Sequence, residues 1–219
     1  MARRTDAPAP PRVATPDLPA RLDPVTGLTR RGDLLGVRVT GVGDIVDAAH
    51  ARLTESLVEG ITATHVDLTG AILTDVRITE PRAAEIVARD GRWRSVEIVG
   101  GRIGTLDLLR ADLDGVTLRE VRIDYLSAPS ARITDLRVVD CVIGTMDLPE
   151  AEVKRASFHD ARVDEVDTRS LRAADLDLRG LAALSYTEPA ALRGATMTAD
   201  QLVLHAGSFA RALGIHVLG

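Results

Sequence analysis

The chain has 219 residues, a net charge of −5 and 45% hydrophobic residues, yet only 2% aromatics. It is long enough for one sizeable core, but the scarcity of rings argues against the compact layered core of an ordinary enzyme. The negative balance excludes non-specific binding to nucleic-acid phosphates, and no apolar stretch approaches the ~20 residues of a membrane span or resembles a signal-peptide core. Cys141, the one cysteine, excludes an internal disulfide and suits a reducing compartment, so the expected location is the cytoplasm.

In chain order, residues 1–24 hold six of the ten prolines with few large apolar side chains. Residues 1–40 carry seven Arg against four Asp. The expectation is a Pro/Arg-rich segment over 1–35, largely disordered, serving as an inert extension or a docking tail. Val37 and Val39 suggest a strand leading in. Residues 46–65 fit two templates: Val46, Ala49, Leu53 and Leu57 could line a helix, whereas Val46/Ala48, Ala51/Leu53, Ser56/Val58 and Ile61/Ala63 keep phase with a five-residue repeat that begins at Val66. The phase favours a coil over a helix.

From Val66 to Gly180 the chain divides without a break into blocks of five, numbered i−2 to i+2. Position i runs Leu68, Leu73, Ile78 and onward to Leu178, and only Thr168 among the 23 is polar. Position i−2 is small or apolar throughout, while i−1 is polar in 20 of 23 blocks, the exceptions being Ile72, Val87 and Val142.

The period selects the architecture. An α-helix turning ~100° per residue would scatter a five-residue repeat around its circumference. A straight strand would send successive repeats to opposite faces. Both conflicts vanish if each block is a short extended segment followed by a corner, with i−2 and i inside and i−1 outside. Ile103-Gly104-Thr105-Leu106-Asp107-Leu108 recurs as Ile143-Gly144-Thr145-Met146-Asp147-Leu148, 40 residues on. Four blocks per coil, with the echo spanning two coils, is the simplest account, and stacked coils would share parallel hydrogen bonds.

Ala111-Asp112-Leu113-Asp114-Gly115 and Val66-Asp67-Leu68-Thr69-Gly70 resemble the consensus of the pentapeptide-repeat proteins: a small residue, Asp or Asn, Leu or Phe, then two polar or small residues. The resemblance spans at least 66–180. It implies an all-β solenoid, a right-handed quadrilateral parallel β-helix over 36–197, closed by a short capping α-helix within 198–219. The chain departs from the consensus in using Arg often at i−1 and Phe only once at i.

At the far end Glu188-Pro189 breaks the phase, which resumes one residue out of step at Ala190/Leu192 and Ala195/Met197. Thr198-Ala199-Asp200-Gln201 forms a capping box. Leu202, Ala206, Phe209, Ala210 and Leu213 come next at helical spacing, and Gly214 stops the helix. Leu202, Ala206, Phe209 and Leu213 are therefore the candidate cap or dimer contacts. Because related proteins often dimerise at this end, the resemblance implies a homodimer.

Catalytic residues are not concentrated anywhere. The five histidines are scattered without metal-ligand spacing, no phosphate-binding loop is present, and Cys141 falls at an inward position. Gly104 and Gly144 suit corners, and Trp93 suits the space left by Gly91 and neighbouring alanines. No enzyme activity, metal or cofactor is expected.

Residues 20 apart should stack into surface columns. Arg92, Asp112, Arg132, Glu152 and Arg172 form an alternating ladder. Arg82, Arg102, Arg122 and Arg162 run beside Glu80, Glu120, Asp140 and Asp160, with which they could pair across a corner. Asp67, Asp107, Asp147 and Asp167 share a column without an obvious basic neighbour and form the candidate partner-binding surface. Two functional classes are compatible with these features. One is a non-catalytic protein-binding or scaffold module. The other comes from the resemblance: some bacterial family members mimic a DNA duplex towards DNA gyrase and modulate quinolone or toxin action.

Overall fold

The computed structural model describes residues 7–217. The chain winds into a parallel β-solenoid of about 8 turns with one short C-terminal helix. Two strand lengths alternate along it. Eight-residue strands such as Arg92–Val99, Asp112–Arg119 and Arg132–Val139 build a ten-stranded sheet. Six-residue strands such as Arg102–Asp107 and Arg122–Ser127 build an eight-stranded one. Within each strand the pairing skips one residue, Gly115 in the longer type and Gly104 or Asp124 in the shorter. These skipped residues are two corners of the coil. The connections around Glu120 and Arg110 are the other two, giving the four expected sides.

The register is that of the five-residue blocks. Leu113 pairs with Trp93 below and Ile133 above, twenty residues away in each direction. Positions i−2 and i meet on the axis: Leu113, Val116, Leu118, Val121, Ile123, Leu126 and Ala128 are all buried in a single coil. Residues 46–65 are coil, with strands Ile45–Asp47, Arg52–Glu59 and Thr62–Asp67, so phase outweighed the helical alternative. Trp93 is 1% exposed, and a side chain on Gly91 would meet its indole nitrogen at 3.4 Å, the expected space-filling relation. Its Nε1–H has no partner, which a core of apolar rows cannot supply.

Gly104 and Gly144 sit at skipped corners, as expected, but not for the sake of a left-handed backbone. A Cβ on either would stand 2.4 Å from the carbonyl oxygen of Ala84 or Asp124 in the coil below, so they permit close backbone approach. The left-handed corners are elsewhere, and most hold no glycine: Asp75, Ser95, Asp135, Arg155 and Asp175 all have φ between 51° and 58°.

The expectation of a largely disordered 1–35 needs correcting, although residues 1–6 lie outside the described part. Asp23–Thr26 pairs in parallel with Val37–Thr40, and Asp33–Leu35 with the strand Arg52–Glu59. An open sheet end offers unpaired backbone groups, and a strand with Pro24 can occupy it because an edge needs donors on one side only. Residues 8–18 have no regular structure yet are hydrogen-bonded to distant coils, Ala9 N–H to Asp175 and Arg12 N–H to Asp135. Prolines here limit pairing without preventing docking.

The other end closes differently. Thr168, the polar exception at i, is fully buried, and its hydroxyl donates to Glu188 O at 2.9 Å and accepts from Glu188 N–H at 3.1 Å. It completes the backbone where Glu188-Pro189 breaks the ladder. The helix α1, Ala199–Ala212, starts with the expected capping box. Gln201 Nε2 also donates to Leu178 O and Leu181 O at 2.6 and 2.7 Å, fastening the helix to carbonyls of the last coil. Gly214, at φ +73°, stops it, with Ile215 N–H closing on Ala210 O.

The inward/outward assignment has a direct consequence. Leu113→Asp should unfold the chain or destabilise it by about 4 kcal/mol or more, since it buries an unpaired charge. Asp112→Ala, at the outward neighbour, should shift stability by no more than about 0.5 kcal/mol. Urea titration followed by circular dichroism compares the two; equal midpoints would contradict the assignment.

Candidate interaction surfaces

The columns exist as expected, because strand pairing places residues 20 apart side by side: Asp107 pairs with Ser127, Ser127 with Asp147 and Asp147 with Asp167. Ion pairs run between successive coils, at 2.9 Å for Arg77–Glu97, 2.8 Å for Arg110–Asp90 and 2.5 Å for Arg155–Asp135. In the alternating column Glu152 takes both Arg172 at 2.7 Å and Arg132 at 3.7 Å. Among the described residues Asp112 joins neither Arg92 nor Arg132. Exposed pairs of this kind are worth at most about 1 kcal/mol each, so the ladder orders side chains more than it holds the fold.

The Arg column does not pair across its corner with Glu80, Glu120, Asp140 and Asp160. Arg102 and Arg122 instead converge on Asp124, at 2.9 and 3.5 Å. The acidic residues lie at the left-handed corner, φ 47–56°, which directs them away from the arginines.

The Asp column differs most from the sequence reading. Asp67, Asp107 and Asp167 each accept a hydrogen bond from the amide two residues on, Thr69, Leu109 and Arg169, at 2.8, 3.0 and 3.0 Å. They are Asx turns that tie down the start of a corner. The missing basic neighbours come from that same corner. Arg89 Nε reaches Asp107 at 2.6 Å, and Arg169 reaches Asp167 at 2.5 Å. Tyr125 donates its hydroxyl to Asp147. Asp107 and Asp167 are buried, so the structure does not bring the four carboxylates together as one free acidic strip. An Asp with Arg at i+2 on a corner was the available sequence signal, visible in Asp167-Thr168-Arg169.

The candidate cap contacts also separate. Gln201, His205 and Phe209, each one turn further on, face the solenoid. His205 is buried edge-on to Tyr186, with centroids 5.0 Å apart, and Phe209 packs partly on the core. Burial pushes the Tyr186 hydroxyl up to about 12. Leu202 and Leu213 are 49% and 75% exposed, and Ala206 is exposed too. The anchoring of Gln201 sets the helix's rotation, and that rotation turns Leu202, Ala206 and Leu213 outward, so they do not serve as cap residues. With Val203, Leu204, Ile215 and Val217 they leave an apolar surface at this end.

Cys141 is buried, and burial raises its thiol pKa, so it packs as an apolar group. Among the described residues no three His, Cys, Asp or Glu side chains converge as metal ligands, and no helix is long and apolar enough to cross a membrane.

No family model matches the sequence, and no curated protein matches it significantly. Solved structures do share its fold. HetL, a pentapeptide-repeat protein involved in heterocyst differentiation regulation in the cyanobacterium Nostoc, superposes with a TM-score of 0.54 at 18% identity, over 77% of this chain and 75% of its own. QnrB1, a plasmid-mediated fluoroquinolone resistance protein in a trypsin-treated form, aligns with a TM-score of 0.33 at 14% identity, over 91% of this chain and 100% of its own. The first comparison shows that the fold is the pentapeptide-repeat β-solenoid; the second is too distant to argue from.

The buried ion pair gives a pH signature. The Arg155 guanidinium, opposed by burial and aided by the Arg12 amide, holds the Asp135 carboxyl below its ordinary 3.8. A depressed folded value means that the pair's stabilisation is present above the ordinary value and lost as pH falls through the folded one. The melting temperature should be flat from neutral pH to about 5 and fall below 4. Asp135→Asn should melt lower at neutral pH and show a shallower acid fall; an unchanged acid slope would contradict this pairing.

Proposed function

We propose that this protein is a non-catalytic, protein-binding or scaffold module that also pairs with a second copy of itself. The carrying observation is how its surface is used. Many outward charges pair between coils or within a corner, whereas exposed large apolar side chains concentrate at the C-terminal end, on Leu202, Val203, Leu204, Leu213, Ile215 and Val217. An end this rich in exposed apolar side chains, on a charged rod, is a contact surface. A two-fold, self-complementary interface is the commonest way to cover one, and each large side chain buried there contributes about 1.5–3 kcal/mol.

The DNA-mimic reading, with gyrase as partner, stands second. A mimic needs a continuous row of free negative charge, and Asp107 and Asp167 are committed to Arg89 and Arg169. A supercoiling assay with purified gyrase separates the two, with no change in gyrase activity expected.

Sedimentation at tens of micromolar should find a dimer. Val203→Glu with Leu213→Glu should give a monomer whose melting temperature matches that of wild type diluted to its monomer, because both side chains are exposed in one chain and contribute little to its own fold. A clean wild-type monomer would remove self-association, and a variant that melts much lower than dilute, monomeric wild type would make these residues part of the cap.

A further inference from the structure

Residues 8–18 cross the solenoid lengthwise, against the direction of coiling. Ala9 N–H donates to Asp175 Oδ1 at 3.0 Å, Arg12 N–H to Asp135 Oδ1 at 2.8 Å and Asp17 N–H to Asp75 Oδ1 at 3.3 Å. All three acceptors occupy one left-handed corner column, two and three coils apart. Each donor comes directly after a proline, respectively Pro8, Pro11 and Pro16. Pro11 and Pro16 are buried and Pro8 half-buried, while Ala9, Arg12 and Asp17 are exposed.

The spacing has a simple origin. A polyproline-type chain rises ~3.1 Å per residue and coils stack at ~4.8 Å, so three residues span ~9.3 Å against ~9.6 Å for two coils. The five residues from Arg12 to Asp17 span ~15.5 Å against ~14.4 Å for three coils. An extended proline-containing chain is thus commensurate with the corner column at about one and a half residues per coil.

We propose that the corner column of Asp75, Asp135 and Asp175 is a docking track for extended, proline-containing protein segments, with residues 8–18 as its resident intramolecular occupant. This rests on the protein-binding reading and names a surface separate from the C-terminal end. The track recognises main-chain amides and proline rings, neither of which is peculiar to this chain's own segment. Its central station is held from within the solenoid: Arg155, one coil on, fixes both Asp135 oxygens at 2.5 and 2.6 Å through contacts that do not involve residues 8–18. Preorganisation of this kind lowers the cost of binding. Asp75 and Asp175 carry no ion pair among the described residues, so their oxygens are open to main-chain amides. The resident segment places Arg12 at Asp135 and Asp17 at Asp75, so amides and proline rings, not net charge, set the fit.

The resident segment also acts as a gate. Its tether gives it an effective concentration in the millimolar range, which a competing segment in free solution must overcome.

The test uses the full chain carrying Pro11→Asp and Pro16→Asp, which places charges where the two buried rings sit and releases the segment. The probe is a fluorescein-labelled peptide of residues 7–22 with the natural sequence. The released variant should keep its β-type circular dichroism and bind the peptide saturably, with wild type weaker by about tenfold or more because its own segment competes. Adding Asp75→Ala and Asp175→Ala, both half-buried at the ends of the track, should abolish most of that binding. A peptide with Pro11 and Pro16 changed to Asp should not bind. In wild type, amide exchange should be slowed at Ala9, Arg12 and Asp17 relative to Ala14 and Ala20.

A folded, released variant that ignores the peptide would overturn the proposal, as would binding indifferent to Asp75 and Asp175. If the released variant unfolds, the segment is a fixed brace and the exchangeable track is likewise overturned. None of these failures touches the C-terminal surface, whose test is sedimentation.

Discussion

Every feature of this molecule depends on the backbone ladder between coils. Strand amides on one coil donate to carbonyls about twenty residues away in the neighbouring coil, as Arg92 does to Ala71, Asp112 to Gly91 and Arg132 to Ala111 at the start of successive strands of one sheet. Buried backbone groups must be paired, so one coil dictates the phase of the next. Side chains consequently stack in rows, and each row must be acceptable to itself. Inward rows are aliphatic because branched and small side chains tile at the coil spacing. The one indole, Trp93, enters only beside Gly91 and leaves its N–H without a partner. Outward rows tolerate either sign: some alternate into Arg–acid rungs between coils, while Arg82, Arg102 and Arg122 stack in one row, two of them sharing Asp124.

A ladder has two open ends, and the chain treats them with different chemistry. At the start, the short strand Asp23–Thr26 with its edge proline pairs with the equally short Val37–Thr40, which in turn pairs with the first eight-residue strand. At the finish, the Thr168 hydroxyl takes the place of a backbone partner for Glu188, and Gln201 supplies two side-chain donors to carbonyls of the last coil. Gln201 therefore has two jobs, capping its own helix and stitching that helix to the solenoid. The price of this anchoring is that Leu202, Leu204 and Leu213 face solvent in the single chain.

The fold was legible because it repeats. A polar residue at i or an apolar one at i−1 stands out against 23 blocks, as Thr168 does, and Glu188-Pro189 marked the break in phase. What escaped was whatever happens once. The rotation of α1 is set by Gln201, and Leu202-Val203-Leu204 gives no periodicity from which to infer it. The docking of residues 8–18 depends on carboxylates as many as 166 residues away, which no local pattern reveals. The Asp column failed as a free surface for a subtler reason. Its basic partners stand two residues along the chain or one coil down at the next corner, not in the neighbouring column where pairing was sought. Local turn chemistry competed with surface display and won.

The central claim is that residues 20 apart are immediate neighbours and that this stacking governs both core and surface. Disulfide trapping measures it directly. Cysteines replacing Arg92 and Asp112, which pair in register on adjacent parallel strands, stand within the ~4.4–6.8 Å Cα separation that a disulfide tolerates. Cys141 is buried and should not interfere. Mild oxidation of the folded protein should link 92 to 112 and leave a 92/114 pair, offset along the strand, unlinked. Failure of the 92/112 pair to form, or equal linking of both pairs, would contradict the account.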